Sequence, residues 1–198
     1  PLSFSLTALG WAPTGKAVSR AGAQVGDLVF VTGVIGDGLL GLKAAQGQLG
    51  LVPERMEALV SHYRMPTPRT DFADIVREFA TASVDVSDGL AADLAHIAEA
   101  SKVGVALNLN VLPLSAAAQA WFDDRVDPQL SLEDLASGGD DYEIAFTAHS
   151  RHEDALRREA ERRLIRLTRV GEVTAGQGLT VLYGCQPVPM ATNGWTHG

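Results

Sequence analysis

The sequence predicts an α+β protein in which a layered mixed sheet is covered by helices. Two observations support this fold class. Short apolar runs alternate with helix-length segments along most of the 198 residues, and this order favours a sheet with helices packed against it. The hydrophobic fraction of 46% and the charged fraction of 20% are ordinary for a globular protein. We therefore expect a substantial apolar core and not a disordered or fibrous chain.

The first half of the chain contains strand and helix signals in alternation. Residues that alternate between apolar and polar, or that are β-branched, indicate the strands. Start and stop signals such as Asp37 and Gly50, or Pro53 and Pro66, delimit the helices. The predicted elements, in order, are strands 1–10 and 27–33, helices 37–50, 53–66 and 71–80, and a strand at 82–86. The first strand needs a partner strand beside it.

The second half continues the same pattern. Leu90, Leu94 and Ile97 fall on one face of a helix, and Pro113 ends a strand that follows it. The predicted elements, in order, are helix 90–100, strand 104–114, helix 116–124, strand 141–149, helix 150–163 and strands 167–173 and 179–184. Strands and helices are thus interleaved to the end of the chain.

Composition excludes several classes of function. The net charge of -8 argues against a nucleic-acid-binding protein, whose domains are usually basic. The longest strongly apolar stretch, 28–35, is too short to span a bilayer, so no membrane partner is expected. Cys185 is the single cysteine, which excludes an internal disulfide and fits a cytoplasmic location.

Asp85, Ser87 and Asp88 stand between a predicted strand and a predicted helix. The beginning of a helix presents N–H groups and a partial positive charge, which suit phosphate. Carboxylates at the same place suit Mg²⁺, a cation that takes oxygen ligands from few protein groups. The alternative is that Ser87 or Asp88 caps the helix and that Asp88 and Gly89 form the turn. A cap needs only one residue, and Asp85 would then have no role in capping.

A second acidic cluster lies in the segment SGGDDYE, residues 137–143. Its paired glycines allow a close approach of the backbone to a ligand. Asp140, Asp141 and Glu143 repel one another unless solvent, a cation or a cationic ligand intervenes. The alternative is a polar loop that leads into the next strand. From the residues alone, both interpretations stay open.

Two further residues are candidates only in combination with these clusters. Arg20 lies in the connection before the strand at 27–33, where a lone arginine is usually a surface residue. Trp195, flanked by Gly194 near the end of the chain, can anchor the terminus or stack on a ring. The histidines and the cysteine show no pattern typical of a catalytic nucleophile, so no catalytic side chain is predicted.

Taken together, these segments resemble the thiamine-monophosphate kinase family of the aminoimidazole-ribonucleotide synthetase superfamily. The resemblance rests on residues 1–42, 83–115 and 137–147 and on the final segment NGWTHG, in this order along the chain. It implies the fold of that superfamily's C-terminal domain. It also implies an enzyme, a phosphotransferase that moves the γ-phosphate of ATP onto thiamine monophosphate with Mg²⁺.

The resemblance implies roles for individual residues. Asp85 and Asp88 match the family's magnesium-binding aspartates, and Ser87 and Arg20 match residues that contact the nucleotide. The substrate-binding positions implied for this chain are Asp140, where the family usually has glutamate, and Trp195. The shorter side chain at Asp140 is a departure from the family pattern.

The family's N-terminal half, with further metal-binding aspartates, has no counterpart in these residues. We therefore expect residues 1–22 to be the last strand and connection of an N-terminal domain, and 23–198 to be a C-terminal domain. The family pairs its subunits through N-terminal strands, so a homodimer is implied for the family and not for this chain. We expect the chain to fold without turnover. Two alternatives are another ATP-using member of the superfamily and a non-catalytic binding remnant.

Overall fold

A computed structural model describes residues 3, 5–7 and 9–190. The described residues form a seven-stranded sheet with the order β2-β4-β1-β5-β3-β6-β7. Its strands are β1 (Asp27–Thr32), β2 (Ala80–Asp85), β3 (Gly104–Asn108), β4 (Ile144–His149), β5 (Leu167–Thr174), β6 (Gly178–Tyr183) and β7 (Gln186–Val188). Strands β3 and β6 pair in parallel and the other neighbours are antiparallel. The mixed sheet predicted from the sequence is confirmed.

Helices cover both faces of the sheet. They are α1 (Asp37–Ala45), α2 (Pro53–Arg64), α3 (Ala73–Phe79), α4 (Leu90–Ser101), α5 (Ala116–Asp123), α6 (Pro128–Ser137) and α7 (Glu153–Arg162). Val29 and Val31 of β1 share a buried cluster with α4 and α6, whereas Leu28 and Phe30 share another with α3 and α7. Successive residues of a strand point to opposite faces, so β1 is buried on both sides and the protein has three layers.

A third apolar cluster joins the helices that do not lie directly on the sheet. Leu40 of α1, Leu59 of α2, Trp121 of α5 and Leu135 of α6 meet there. This cluster holds α1 and α2 against the rest of the domain and so fixes the direction of α1. None of the helices in the described ranges is long and apolar enough to cross a lipid bilayer.

Two elements were not expected from the sequence, and one strand is shorter than predicted. Helix α6 begins after Asp127, whose side chain accepts the backbone N–H of Leu130. Strand β7 is a three-residue edge strand that pairs with β6. Strand β3 ends at Asn108 and not near Pro113, because the Asn108 side chain accepts the N–H of Asn110 and starts a short 3-10 turn.

The strand predicted at residues 1–10 is not a strand in the described part of this segment. Its described residues have no regular secondary structure, and Leu6 and Leu9 are 94% and 88% exposed. A strand needs a neighbour to accept its backbone hydrogen bonds, and no described residue pairs with this segment. The chain first joins the sheet at Ser19, whose carbonyl oxygen accepts the N–H of Ser83 on the outer edge of β2.

Candidate functional site

Two turns meet at the end of the sheet where β2 ends and β4 begins. We call this end the open edge. Val86 donates its N–H to the carbonyl oxygen of Glu143 at 2.8 Å, and Tyr142 donates to that of Val86 at 2.8 Å. Asp140 donates to the carbonyl oxygen of Ser87 at 2.9 Å. These three bonds extend the β2–β4 pairing beyond the strands. The structure thus brings together the two acidic clusters that the sequence analysis singled out.

Glycines make this approach possible. A Cβ atom on Gly139 would collide with the carbonyl oxygen of Ser87, and one on Gly38 would collide with the backbone of Gly139 and Asp140. The segment after β1, which contains Gly36 and Gly38, therefore lies against the same edge as the two turns.

The alternative that Ser87 or Asp88 is the N-cap of α4 does not hold. Gly89 is the N-cap of α4 and contributes no side-chain hydrogen bond. Instead the buried side chain of Asp93, within α4, accepts the N–H groups of Ser87 at 2.9 Å and Asp88 at 3.1 Å. The turn is therefore held by a residue outside it.

The carboxylates of this turn create a negative environment. Asp85 ends β2 and is exposed, and Asp88 is half-buried. Burial raises the pKa of Asp93; the N–H groups of Ser87 and Asp88 oppose the rise, and the charges of Asp88 and Asp85 add to it. One carboxylate oxygen each of Asp88 and Asp93 and a ring nitrogen of His96 lie within 4.8 Å of one another. The two carboxylates fit Mg²⁺, which takes oxygen ligands, whereas a histidine nitrogen is not typical of a site for this cation.

Side chains alternate in direction along the second turn. Asp141 and Glu143 are each 1% exposed, whereas Tyr142 between them is 44% exposed. Asp140 is half-buried and accepts the hydroxyl of Tyr142 at 3.1 Å. The three acids of SGGDDYE are therefore not one repelling cluster: two are used inside the protein, and Asp140 stays at the open edge.

Asp141 caps a helix from a distant part of the chain. Its two oxygens accept the N–H groups of Gly36 at 2.8 Å and Gly38 at 2.9 Å, at the beginning of α1. Burial raises the pKa of Asp141 to about 8. The two N–H groups oppose this rise, and the charges of Asp37 and Glu143 add to it. Asp141 thus ties the glycine segment to the acidic turn.

Glu143 forms a buried ion pair. Arg69 donates to its two oxygens at 2.6 Å each, and the Thr32 hydroxyl donates at 2.7 Å. The paired geometry satisfies both oxygens, which a buried carboxylate requires. The sequence analysis missed this pair, because Arg69 and Glu143 are far apart along the chain and nothing local connects them.

Arg20 and Asp85 line the same cavity, of about 490 Å³. Lys16 and Arg77 also line it, so three cations surround a space that begins beside the acidic turn. Within the described part of the chain, none of these three side chains forms an ion pair. Such a cavity suits a polyanionic ligand. The candidate residue Trp195 lies outside the described residues.

Comparisons with known proteins gave a family model, curated relatives and solved structures. Residues 24–184 match the family model described as AIR synthase related protein, C-terminal domain. The chain is 43% identical over its full length to thiamine-monophosphate kinase of Caulobacter vibrioides, of which it covers 55%. The chain therefore spans about half the length of the curated relative.

Solved structures give the same result. A crystal structure of thiamine-monophosphate kinase from Stenotrophomonas maltophilia K279a superposes with a TM-score of 0.78 at 38% identity. The match covers 86% of this chain and 54% of that one. A structure of AaThiL complexed with AMPPCP and TMP superposes with a TM-score of 0.73 at 32% identity, over 91% of this chain and 54% of that one.

Proposed function

The chain belongs to the AIR synthase related protein family, through its C-terminal domain, and on that premise we propose that it is part of an ATP-dependent kinase of thiamine monophosphate. The observation that carries the proposal is the meeting of the Asp85–Asp88 turn with the Gly138–Tyr142 turn at one open edge of the sheet. The names of the relatives add support, since the chain is similar along its whole length to a thiamine-monophosphate kinase.

Asp85 and Asp88 are the proposed ligands of Mg²⁺. They fit because they are carboxylates at the end of β2 and in the turn that precedes α4. A bound Mg²⁺ would neutralise phosphate charge, which is the main requirement of phosphoryl transfer. The other candidate residues would hold and orient the two substrates.

Arg20 and Ser87 are the proposed contacts to the nucleotide. Arg20 lines the cationic cavity that begins at Asp85, so the phosphates of ATP would lie between the cations and the carboxylate edge. Ser87 is held in place through its N–H by Asp93 and through its carbonyl oxygen by Asp140. A fixed position is what a reaction that depends on alignment requires.

Asp140 and Trp195 are the proposed contacts to thiamine monophosphate. A phosphate oxygen of this acceptor attacks the γ-phosphorus of ATP, and the bond from that phosphorus to ADP breaks as ADP leaves with the electron pair. The attacking oxygen is ionised at neutral pH, so no protein base is required. This chemistry is consistent with a site built from carboxylates and cations without a catalytic nucleophile.

The proposal extends to the organisation of the protein. Residues 1–22 would be the end of an N-terminal domain and 23–198 the C-terminal domain, a boundary that the family match over 24–184 supports. The N-terminal domain would supply further metal ligands and the dimer contact of the family. The whole protein would act in the cytoplasm. The 198-residue chain alone is expected to fold without turnover.

Acceptor specificity tests the proposal. The full-length protein is mixed with ATP and Mg²⁺ and with thiamine monophosphate, thiamine or a simple phosphate ester as acceptor, and the products are separated by chromatography. We expect thiamine diphosphate and ADP in equal amounts from the first acceptor only. Phosphorylation of thiamine itself, or ADP without a phosphorylated acceptor, would contradict the proposal.

A further inference from the structure

Tyr142 presents a large aromatic ring at the open edge of the site. It is 44% exposed, although its neighbours Asp141 and Glu143 are buried. Its backbone is fixed, because its N–H bonds to Val86 and the next residue accepts from Val86 in return. The ring is therefore held in place by the backbone and not by burial of the ring itself.

The backbone of Tyr142 adopts a conformation that is unfavourable for its residue type. Its φ is 51°, and that of Asp140 is 69°. Residues other than glycine, asparagine and aspartate seldom adopt this left-handed region, and strained positions of this kind concentrate at binding sites. A purely structural turn would be better served by asparagine or glycine at position 142. The strain at this position is consistent with a binding role of the tyrosine ring.

A carboxylate lies at the hydroxyl end of the ring. The Tyr142 hydroxyl donates to Asp140 at 3.1 Å, which fixes the orientation of the ring. Burial, the hydrogen bond and charge of Asp140, and the charges of Asp85 and Asp88 all raise the pKa of the Tyr142 phenol. Asp140 is the acid in direct contact with the Tyr142 side chain. An aromatic face in a negative field suits a cationic, electron-poor ring.

We propose that Tyr142 is the platform on which the cationic thiazolium ring of the acceptor stacks. This inference rests on the proposed function, because thiamine monophosphate is the substrate that carries such a ring. A neutral ring would gain the stacking contact but not the cation–π attraction or the attraction of the Asp140 carboxylate. Tyr142 would therefore contribute to the choice of acceptor, and its removal would not affect the nucleotide.

The variant Tyr142→Asn tests this assignment without relying on a damaged fold. Asparagine tolerates the left-handed conformation better than tyrosine, so the melting temperature should stay the same or rise. The KM for thiamine monophosphate should increase roughly tenfold, as expected for loss of a cation–π contact, and the KM for ATP should stay unchanged. Tyr142→Phe keeps the ring and should retain most of the acceptor affinity. Tyr183→Phe, in β6, is the matched control.

Three results would overturn the inference: an unchanged KM for thiamine monophosphate in Tyr142→Asn, an equal rise in both KM values, or a loss in Tyr142→Phe as large as that in Tyr142→Asn. Binding of thiamine, which has the cationic ring without a phosphate, separates this test from that of the proposed function. Tyr142→Asn should weaken thiamine binding roughly tenfold relative to wild type, and unchanged binding would refute the platform. A wild-type protein that binds thiamine through Tyr142 but forms no thiamine diphosphate would contradict the proposed kinase alone.

Discussion

The carboxylate of Asp141 accepts the backbone N–H of Gly36 at 2.8 Å across a sequence separation of 105 residues. Its other oxygen accepts the N–H of Gly38 at 2.9 Å. One buried side chain therefore joins the turn that contains Asp140 and Tyr142 to the beginning of α1. The open edge of the sheet depends on this link for its shape.

This link predicts a pH-dependent stability. The pKa of Asp141 in the folded protein is raised from 3.8 to about 8, so folding favours its protonated form. Its contribution to the free energy of unfolding is complete below pH 4 and is lost as the pH rises through about 8. Denaturant unfolding at several pH values between 4 and 9 measures this loss.

The variant Asp141→Asn should flatten the pH dependence. Asparagine does not titrate, but it offers a single acceptor oxygen to the N–H groups of Gly36 and Gly38. This loss should lower the free energy of unfolding at pH 5 by about 1–3 kcal/mol. Asp154→Asn, at an exposed position of α7, should leave the wild-type profile unchanged. A variant at Asp141 that kept the wild-type slope would show that other groups cause it.

Removal of the Glu143 charge should destabilise the protein strongly. Glu143→Gln leaves the partly buried Arg69 without its paired acceptor, and breaking a pair of this kind costs about 3 kcal/mol. Glu153→Gln, which breaks the exposed pair with Arg157, should cost less than about 1 kcal/mol. Equal losses in the two variants, measured by urea unfolding, would contradict the assignment of Glu143 as a structural residue of the site.

Arg20→Gln should weaken nucleotide binding. The side chain lines the cationic cavity beside Asp85, and loss of one partly exposed charge near phosphate is worth about fivefold in affinity. The difference from wild type should shrink at high salt, because exposed charges are screened. Titration of the full-length protein with the ATP analogue AMPPCP and Mg²⁺ measures it, with Arg158→Gln in α7 as control. If Arg20→Gln bound AMPPCP with wild-type affinity at low salt, Arg20 would not be a contact to the nucleotide.

Trp195→Ala should raise the KM for thiamine monophosphate more than the KM for ATP. Loss of a stacked ring corresponds to a change of up to roughly tenfold. Trp195→Phe keeps an aromatic ring and should retain most of the affinity for thiamine monophosphate. A lower melting temperature with both KM values unchanged would mean that Trp195 only anchors the end of the chain.

The sequence predicted those parts of the fold that local patterns determine. The buried run of β1 and the single apolar face of α4 were recognised because period and composition agree. Helix α6 was missed, although Asp127 and Pro128 mark its beginning and Leu132 and Leu135 are buried on one face. The polar residues of this segment obscure the helical spacing of its leucines.

The candidate site was only partly predictable, for a physical reason. Asp85 and Asp88 could be selected because two carboxylates flank a strand-to-helix turn. The sequence could not show that Asp93 holds that turn, or that Asp141 reaches Gly36. These contacts arise from the pairing of β2 with β4 and the packing of α1 beside them, and no local pattern encodes such distant contacts.

The formation of thiamine diphosphate by the full-length protein, with and without the carboxylates of the Asp85–Asp88 turn, tests the central claim most directly. We predict product from wild type with ATP, Mg²⁺ and thiamine monophosphate. Asp85→Asn and Asp88→Asn should each lower turnover by at least about a hundredfold, since a metal-facing charge stabilises the transition state by several kcal/mol. Their melting temperatures should stay near that of wild type, as should the activity of the control Asp154→Asn. Full turnover in the double variant at ordinary Mg²⁺ would contradict the account.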